Sequence, residues 1–157
     1  MIADCLGMTI FFYKVCEPYG CFSNFSPHSI QMEGEFWLTS EHYYQAQKFV
    51  GTRDRHLCRL IQQASSPEKA AAIGRDPTYT VRQDWHTLKP GIMYNAVLTK
   101  FTTYPDLMAL LLGTDEELIV ENSPTDDYWG CGPNGLGQNQ LGKVLMRIRQ
   151  ELRDRTH

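Results

Sequence analysis

Thr39-Ser40-Glu41-His42-Tyr43-Tyr44-Gln45-Ala46-Gln47-Lys48-Phe49 is the stretch around which the other segments arrange themselves. Read as a helix, it sets Glu41, Gln45 and Lys48 at i, i+4 and i+7 on one face, with Tyr43, Ala46 and Val50 on the opposite one. Thr39 or Ser40 caps the first turn and leaves Glu41 among the unpaired N–H groups of the helix start. There the helix dipole favours an ionised carboxylate by about 0.3–1 kcal/mol at an exposed position. Two readings stand. One is an ordinary acidic first turn followed by a solvated polar stripe. The other is a carboxylate held charged, with an amide and a lysine beside it, ready for chemistry at an electron-poor carbon.

Upstream of this helix, residues 8–15 are rich in Ile, Phe and Tyr and read as a strand running into a turn at Pro18-Tyr19-Gly20. Phe22-Ser23-Asn24-Phe25 sets a small polar pair between two rings, either a loop that grips a ligand through Asn24 or a capped turn over the core. Residues 28–33 alternate, Gly34 turns the chain, and residues 35–38 return, a hairpin that feeds directly into the helix.

Downstream, Leu57, Leu60, Ile61 and Ala64 mark an amphipathic helix over 55–64. Pro67 at the first helical position and a Ser65/Glu68 capping box open an Ala-rich helix that ends on Gly74 as a C′ glycine. The loop after it carries Arg75, a candidate anion contact or an ordinary surface arginine. Asp84-Trp85 opens the next helical stripe, in which Pro90-Gly91 predicts a start or a kink. A short helix over 106–112, a strand over 118–121 and a final helix over 141–152 complete the chain. The expectation is one compact α+β domain over residues 1–157, core 11–152, helix-rich with a small, mainly antiparallel sheet.

With 157 residues, 42% of them hydrophobic and 21% charged, the chain has the composition of a globular protein with a core of its own. A net charge of −3 gives no global field for nucleic acid. Arg53, Arg55 and Arg59, and later Lys143, Arg147, Arg149, Arg153 and Arg155, are diluted by acidic neighbours and read as solvated helix faces. Cys5, Cys16, Cys21, Cys58 and Cys131 are odd in number and widely spaced, which suits reduced thiols in a cytoplasmic protein and no zinc site. Asp4 interrupts the first apolar run and no basic n-region precedes it, so neither a secretory signal nor a membrane span is expected.

Residues 126–142 form the second distinctive stretch, with Gly130, Gly132, Gly135, Gly137 and Gly142 just before a helix. Such a run either aims backbone N–H groups at an anion such as phosphate or is a glycine-rich turn with no ligand. Gly130, Gly132 and Gly135 satisfy GxGxxG, but no βαβ unit with an acidic ribose partner follows, so a Rossmann site is not expected. Asp127 and Trp129 at its mouth suit a sugar and a base. Trp85 is either a core residue or a stacking platform for a base. His28, His42, His56, His86 and His157 show no metal-ligand spacing, and His42 lies about a quarter turn away from Glu41.

The chain resembles the YbiA-like, or NADAR (NAD and ADP-ribose), family. The resemblance rests on Phe22-Ser23-Asn24-Phe25, the whole of residues 39–49, Gly74-Arg75-Asp76, Trp85, Lys100-Phe101, Asp127-Tyr128-Trp129-Gly130, Gly137, Asn139, Leu141-Gly142 and Leu145-Met146. It implies a YbiA-like α+β fold and N-glycosidase chemistry without metal or other cofactor. The implied substrates are phosphorylated ribosylamino-pyrimidine intermediates of riboflavin biosynthesis, releasing ribose 5-phosphate. Hydrolysis of ADP-ribose from guanine is the alternative, and a non-catalytic ADP-ribose or NAD reader is a third. Nucleic acid enters as a partner only if ADP-ribosylated guanine is the substrate. Carried over by motif, Glu41 and Trp85 are the residues linked to activity, with Asp127 as a candidate second carboxylate. Asn24, Lys48, Arg75, Trp129, Gly137 and Asn139 are implied as substrate-binding residues. Pro90-Gly91 departs from the family pattern, where a continuous helix is expected after Trp85.

Overall fold

The structure is a computed structural model that describes residues 7–156; Asp4, Cys5 and His157 lie outside the described residues. In chain order the elements are β1 (Ile10–Phe12), β2 (Ile30–Met32), β3 (Glu35–Trp37), α1 (Ser40–Gln47), α2 (Leu57–Gln62), α3 (Pro67–Gly74), α4 (Trp85–Thr103), α5 (Pro105–Leu112), β4 (Ile119–Glu121) and α6 (Gln140–Arg155). The class is α+β. The chain divides into two compact units: Asn24–Tyr104 is one, and the segments up to Ser23 and from Pro105 make the other.

In the Asn24–Tyr104 unit the hairpin forms as expected. β2 and β3 pair antiparallel with Ile30 opposite Trp37 and Met32 opposite Glu35. Glu33 and Gly34 both have positive φ, the backbone hand that a two-residue hairpin turn needs to match the strand twist. α1 then packs among α2, α3, α4 and β3. Its apolar side chains Tyr43 and Ala46 join Phe49, Ile30, Trp37, Leu57, Ile61, Ala70 and Ala96 in one core. Val50, expected on that apolar face, is 42% exposed because α1 stops at Gln47 and the chain turns, so that Phe49 takes the buried place instead.

Both ends of α3 differ from the sequence reading. Ser66, and not Ser65, caps α3 by accepting from the Lys69 N–H, with Pro67 at the first turn; Ser65 instead accepts from Lys69 Nζ. Gly74 is the last residue of α3 rather than a left-handed C′ residue, and the need for glycine there is one of space. α4 runs unbroken from Trp85 to Thr103 through Pro90. The proline lacks the N–H that would bond the carbonyl of His86, an exposed residue, and the helix absorbs that single loss. The departure at Pro90-Gly91 therefore leaves the helix after Trp85 continuous, as the family pattern expects.

In the other unit β1 and β4 pair parallel, Ile10 opposite Ile119 and Phe12 opposite Glu121. The strands thus form two separate pairs, one antiparallel and one parallel, in place of a single mainly antiparallel sheet. α6 covers β4 with Leu141, Leu145, Ile148 and Leu152, all buried, and α5 packs against α6. Arg149, read from sequence as part of a solvated basic face, is buried. Its Nη1 donates to Thr114 Oγ1 and to the Glu117 carbonyl, which fastens the α5–β4 turn to α6. Among the described residues no helix is long and apolar enough to cross a membrane.

Candidate active site

Helix α1 is short of apolar residues yet buried on every side, and its polar side chains explain how. Thr39 caps it, accepting from the His42 N–H. The Thr39 hydroxyl also lies 2.8 Å from His42 Nδ1, while His42 Nε2 lies 3.0 Å from the Ala64 carbonyl. A carbonyl only accepts, so Nε2 carries the proton and Nδ1 accepts from Thr39. Burial lowers the His42 pKa and keeps the ring neutral. As its angular position in the helix predicted, His42 turns away from Glu41 and is tied to the segment just after α2 and to the cap.

Glu41 is 5% exposed, which rules out the solvated polar stripe. Its oxygen Oε1 accepts from Gln45 Nε2 at 2.7 Å, one helical turn on. Arg75 Nη2 stands 3.9 Å from the same oxygen, from a side chain that is 62% exposed, so it acts as a solvent-screened counter-charge. The backbone N–H of Glu41 donates to the Asn24 carbonyl, and the Ser40 hydroxyl donates to Asn24 Oδ1 at 2.9 Å. Asn24 Nδ2 in turn meets Met93 Sδ of α4. Asn24 therefore anchors the first turn of α1 and fixes where Glu41 leaves the backbone.

Lys48 closes the same helix. Its Nζ donates to the Gly74 carbonyl at 3.1 Å and lies 5.8 Å from the Tyr44 ring centre and 5.9 Å from that of Trp85. Burial pushes the Lys48 pKa down to about 8; Glu41 opposes that shift, and Arg75 and Lys89 add to it. Trp85 packs on Tyr44 at 5.1 Å between ring centres and is only 6% exposed, so little of its face is open to a base.

The structure thus brings Asn24, Glu41, Lys48, Arg75 and Trp85 together in one unit. Tyr44 and Lys89 belong to this cluster and were not singled out from sequence. The available signal was spacing, since Lys89 lies one turn beyond Trp85 in α4 and Tyr44 lies four residues before Lys48.

Asp127, Trp129, Gly137 and Asn139 lie in the other unit, in the glycine-rich loop before α6. Much of this loop's backbone is already paired within the unit. Cys131 donates to the Glu121 carbonyl, Gly137 to Cys131, Gln138 to Asp127, Asn139 to Gly130, Gln140 to Tyr128 and Leu141 to Trp129. Tyr128 and Trp129 N–H groups both donate to Asp126 Oδ1. These N–H groups are engaged by β4, by the loop itself and by Asp126. Gly137 is needed for close packing, as a Cβ there would meet the Gly130 carbonyl oxygen at 2.6 Å. Asn139 sits at φ 51 and uses both ends of its amide on β4, accepting from the Glu121 N–H and donating to the Ile119 carbonyl. Asp127 is exposed, and Trp129 makes an edge contact with Tyr128. Among the described residues no group of three or more His, Cys, Asp or Glu side chains could hold a metal ion.

Comparison with known proteins adds a family to this geometry. Residues 11–153 match the NADAR domain. The chain is 57% identical over 147 residues to the N-glycosidase Npun_R5314 of Nostoc punctiforme, covering 94% of each chain. It is 48% identical over 155 residues to the chloroplastic riboflavin biosynthesis protein PYRR of Zea mays, covering 91% of this chain and 25% of that one. The NMR structure of the E. coli protein YbiA superposes with a TM-score of 0.86 at 41% identity, over 96% of this chain and 88% of that one.

Proposed function

The chain belongs to the NADAR domain family, and from that premise we propose that it is an N-glycosidase of phosphorylated ribosylamino-pyrimidines, releasing ribose 5-phosphate. Hydrolysis of an N-glycosidic bond is supported by the relative in Nostoc punctiforme, an N-glycosidase matched end to end. The pyrimidine substrate is supported more narrowly, by the likeness to a riboflavin biosynthesis protein. The observation that carries the reading is a buried carboxylate, Glu41, held by the Gln45 amide with the cations of Arg75 and Lys48 beside it.

The chemistry follows from charge. As the C–N bond breaks, the base leaves with the bonding pair and takes up a proton, and positive charge grows on the ribose. Glu41 stabilises that charge and accepts a proton from the water that adds to the anomeric carbon. Lys48 and Arg75 suit the phosphate. The reading treats residues 11–152 as one functional domain, because the family match runs through both units. It places the protein in the cytoplasm, a setting that suits the reduced thiols Cys16, Cys58 and Cys131.

Parallel incubation with the phosphorylated ribosylamino-pyrimidine and with an ADP-ribosylated guanine oligonucleotide tests the reading. Release of ribose 5-phosphate from the first supports it. Turnover of the second alone replaces it with de-ADP-ribosylation, and tight ADP-ribose binding without turnover of either replaces it with a reader.

A further inference from the structure

Close to the Glu41 carboxylate, and nearer than the Arg75 cation, stands an uncharged amide. Gln45 Nε2 donates to Glu41 Oε1 at 2.7 Å, against 3.9 Å for the exposed Arg75. The other end of that amide is the informative one. Gln45 is 2% exposed, and among the described residues its Oε1 has no hydrogen-bond partner. A buried carbonyl oxygen without a donor is unfavourable. A flipped amide would turn that oxygen towards the carboxylate, oxygen against oxygen, so the amide stays committed to Glu41.

Gly74 makes this arrangement possible. A Cβ at residue 74 would stand 2.7 Å from Gln45 Cδ and nearer still to Oε1. The φ of Gly74 is not positive, so the backbone does not demand glycine; the Gln45 side chain does. The same residue offers its carbonyl to Lys48 Nζ. One glycine at the end of α3 therefore seats Gln45 with its Cα and Lys48 with its oxygen.

We propose that Gln45, seated on Gly74, is a positioning residue for the glycosidic reaction, its amide fixing the orientation and the ionised state of the Glu41 carboxylate. This rests on the reading of Glu41 as the working carboxylate. Gln45 touches no reacting atom. It acts by holding one carboxylate oxygen, so that Glu41 meets the developing positive charge in one orientation and stays ionised at lower pH.

The test is the pH profile of Gln45→Met, which keeps the side-chain length and removes both the donor and the partnerless oxygen. The acid limb of kcat/KM should move up by about one pH unit, the scale of a lost hydrogen bond to a charged form. Away from that limb kcat should fall roughly tenfold or more with KM little changed. A thermal melt should show a folded variant with only a small loss of stability, since the donor lost to the carboxylate is partly offset by removal of the partnerless oxygen. An unmoved acid limb overturns the proposal, because a filler amide would not set it. A carbon-13 titration of the Glu41 side-chain carboxyl in parent and variant gives the same answer without turnover. It thereby separates failure of this proposal from failure of the proposed reaction. Gly74→Ala is the second variant. It should raise the Glu41 titration midpoint in the parent and leave it unchanged in the Gln45→Ala background, where there is no amide to displace. Equal effects in both backgrounds would refute the seat.

Discussion

Lys48 Nζ donates to the Gly74 carbonyl at 3.1 Å, which ties the end of α1 to the end of α3 directly beside the Glu41 carboxylate. A cation in that position is held by one neutral oxygen, two ring faces and a nearby carboxylate on a half-buried side chain. Its proton is therefore loosely held, and that has consequences for both activity and folding.

For activity, kcat/KM on a phosphorylated substrate should fall as pH rises through about 8, where free-enzyme Lys48 loses its charge. Lys48→Arg should abolish that limb, since a guanidinium stays charged throughout. For folding, the sign is the reverse of a salt-bridged lysine. Below about 8 the group is protonated in both states and the cost of burying the cation is fully present. Between about 8 and the unfolded value of 10.5 the native state releases a proton that the unfolded chain keeps, so this residue's contribution to stability rises with pH. Urea melts on either side of that window, compared between the parent and Lys48→Met, measure it. A parent whose pH dependence matches the variant's refutes the assignment.

Glu41→Gln replaces one carboxylate oxygen by an amide while leaving a carbonyl that still accepts from Gln45 Nε2. The fold and the affinity for product should survive, within a few-fold by calorimetry. Turnover should drop by about a hundredfold or more, the scale of one acid–base or electrostatic group. Turnover like the parent's would show Glu41 to be only a helix-start carboxylate.

What could be seen in the sequence was local. Thr39 as a cap, the Glu33-Gly34 turn, Pro67 at the first turn and the Leu141, Leu145, Ile148, Leu152 stripe each follow from near neighbours, and each is in the structure. Glu41 with Lys48 was legible as one helical face for the same reason. What failed depended on contacts remote in sequence. Gly74 looked like a left-handed cap because nothing local reveals the Gln45 side chain lying against it. In the glycine-rich run, a glycine pattern does not say which N–H groups find partners; those of Cys131, Gly137, Gln138 and Asn139 bond carbonyls of residues 121–131. The parallel pairing of β1 with β4 joins segments more than a hundred residues apart, beyond any periodicity argument. Arg149 is buried because Thr114 and the Glu117 carbonyl wait for it, and neither is visible from the helix pattern alone.

Trp85→Ala should act on stability before it acts on binding. The indole is buried against Tyr44, and removing a buried Trp side chain costs about 3–5 kcal/mol. The expected result is a large fall in Tm. Trp85→Phe, which keeps a ring against Tyr44, should recover most of the stability and serves as the variant for calorimetry. If the Ala variant melts like the parent yet loses about 1–3 kcal/mol of substrate affinity, the ring is a stacking platform and its packing role is secondary.

Asn139→Ala should likewise read out in folding. Its side chain bridges both edges of β4, donating to the Ile119 carbonyl and accepting from the Glu121 N–H, and its φ of 51 is strained for alanine. Truncation leaves a partly buried donor and acceptor to be satisfied some other way, about 1–3 kcal/mol each where water does not reach. Amide exchange should therefore accelerate at Glu121, with a lower Tm and with KM unchanged in the fraction that stays folded. Asn139→Gly separates the two contributions, because it relieves the backbone but not the lost bridge. It should recover part of the stability and none of the protection at Glu121. A KM that rises in Asn139→Ala at full stability would instead return Asn139 to the list of groups that touch the substrate.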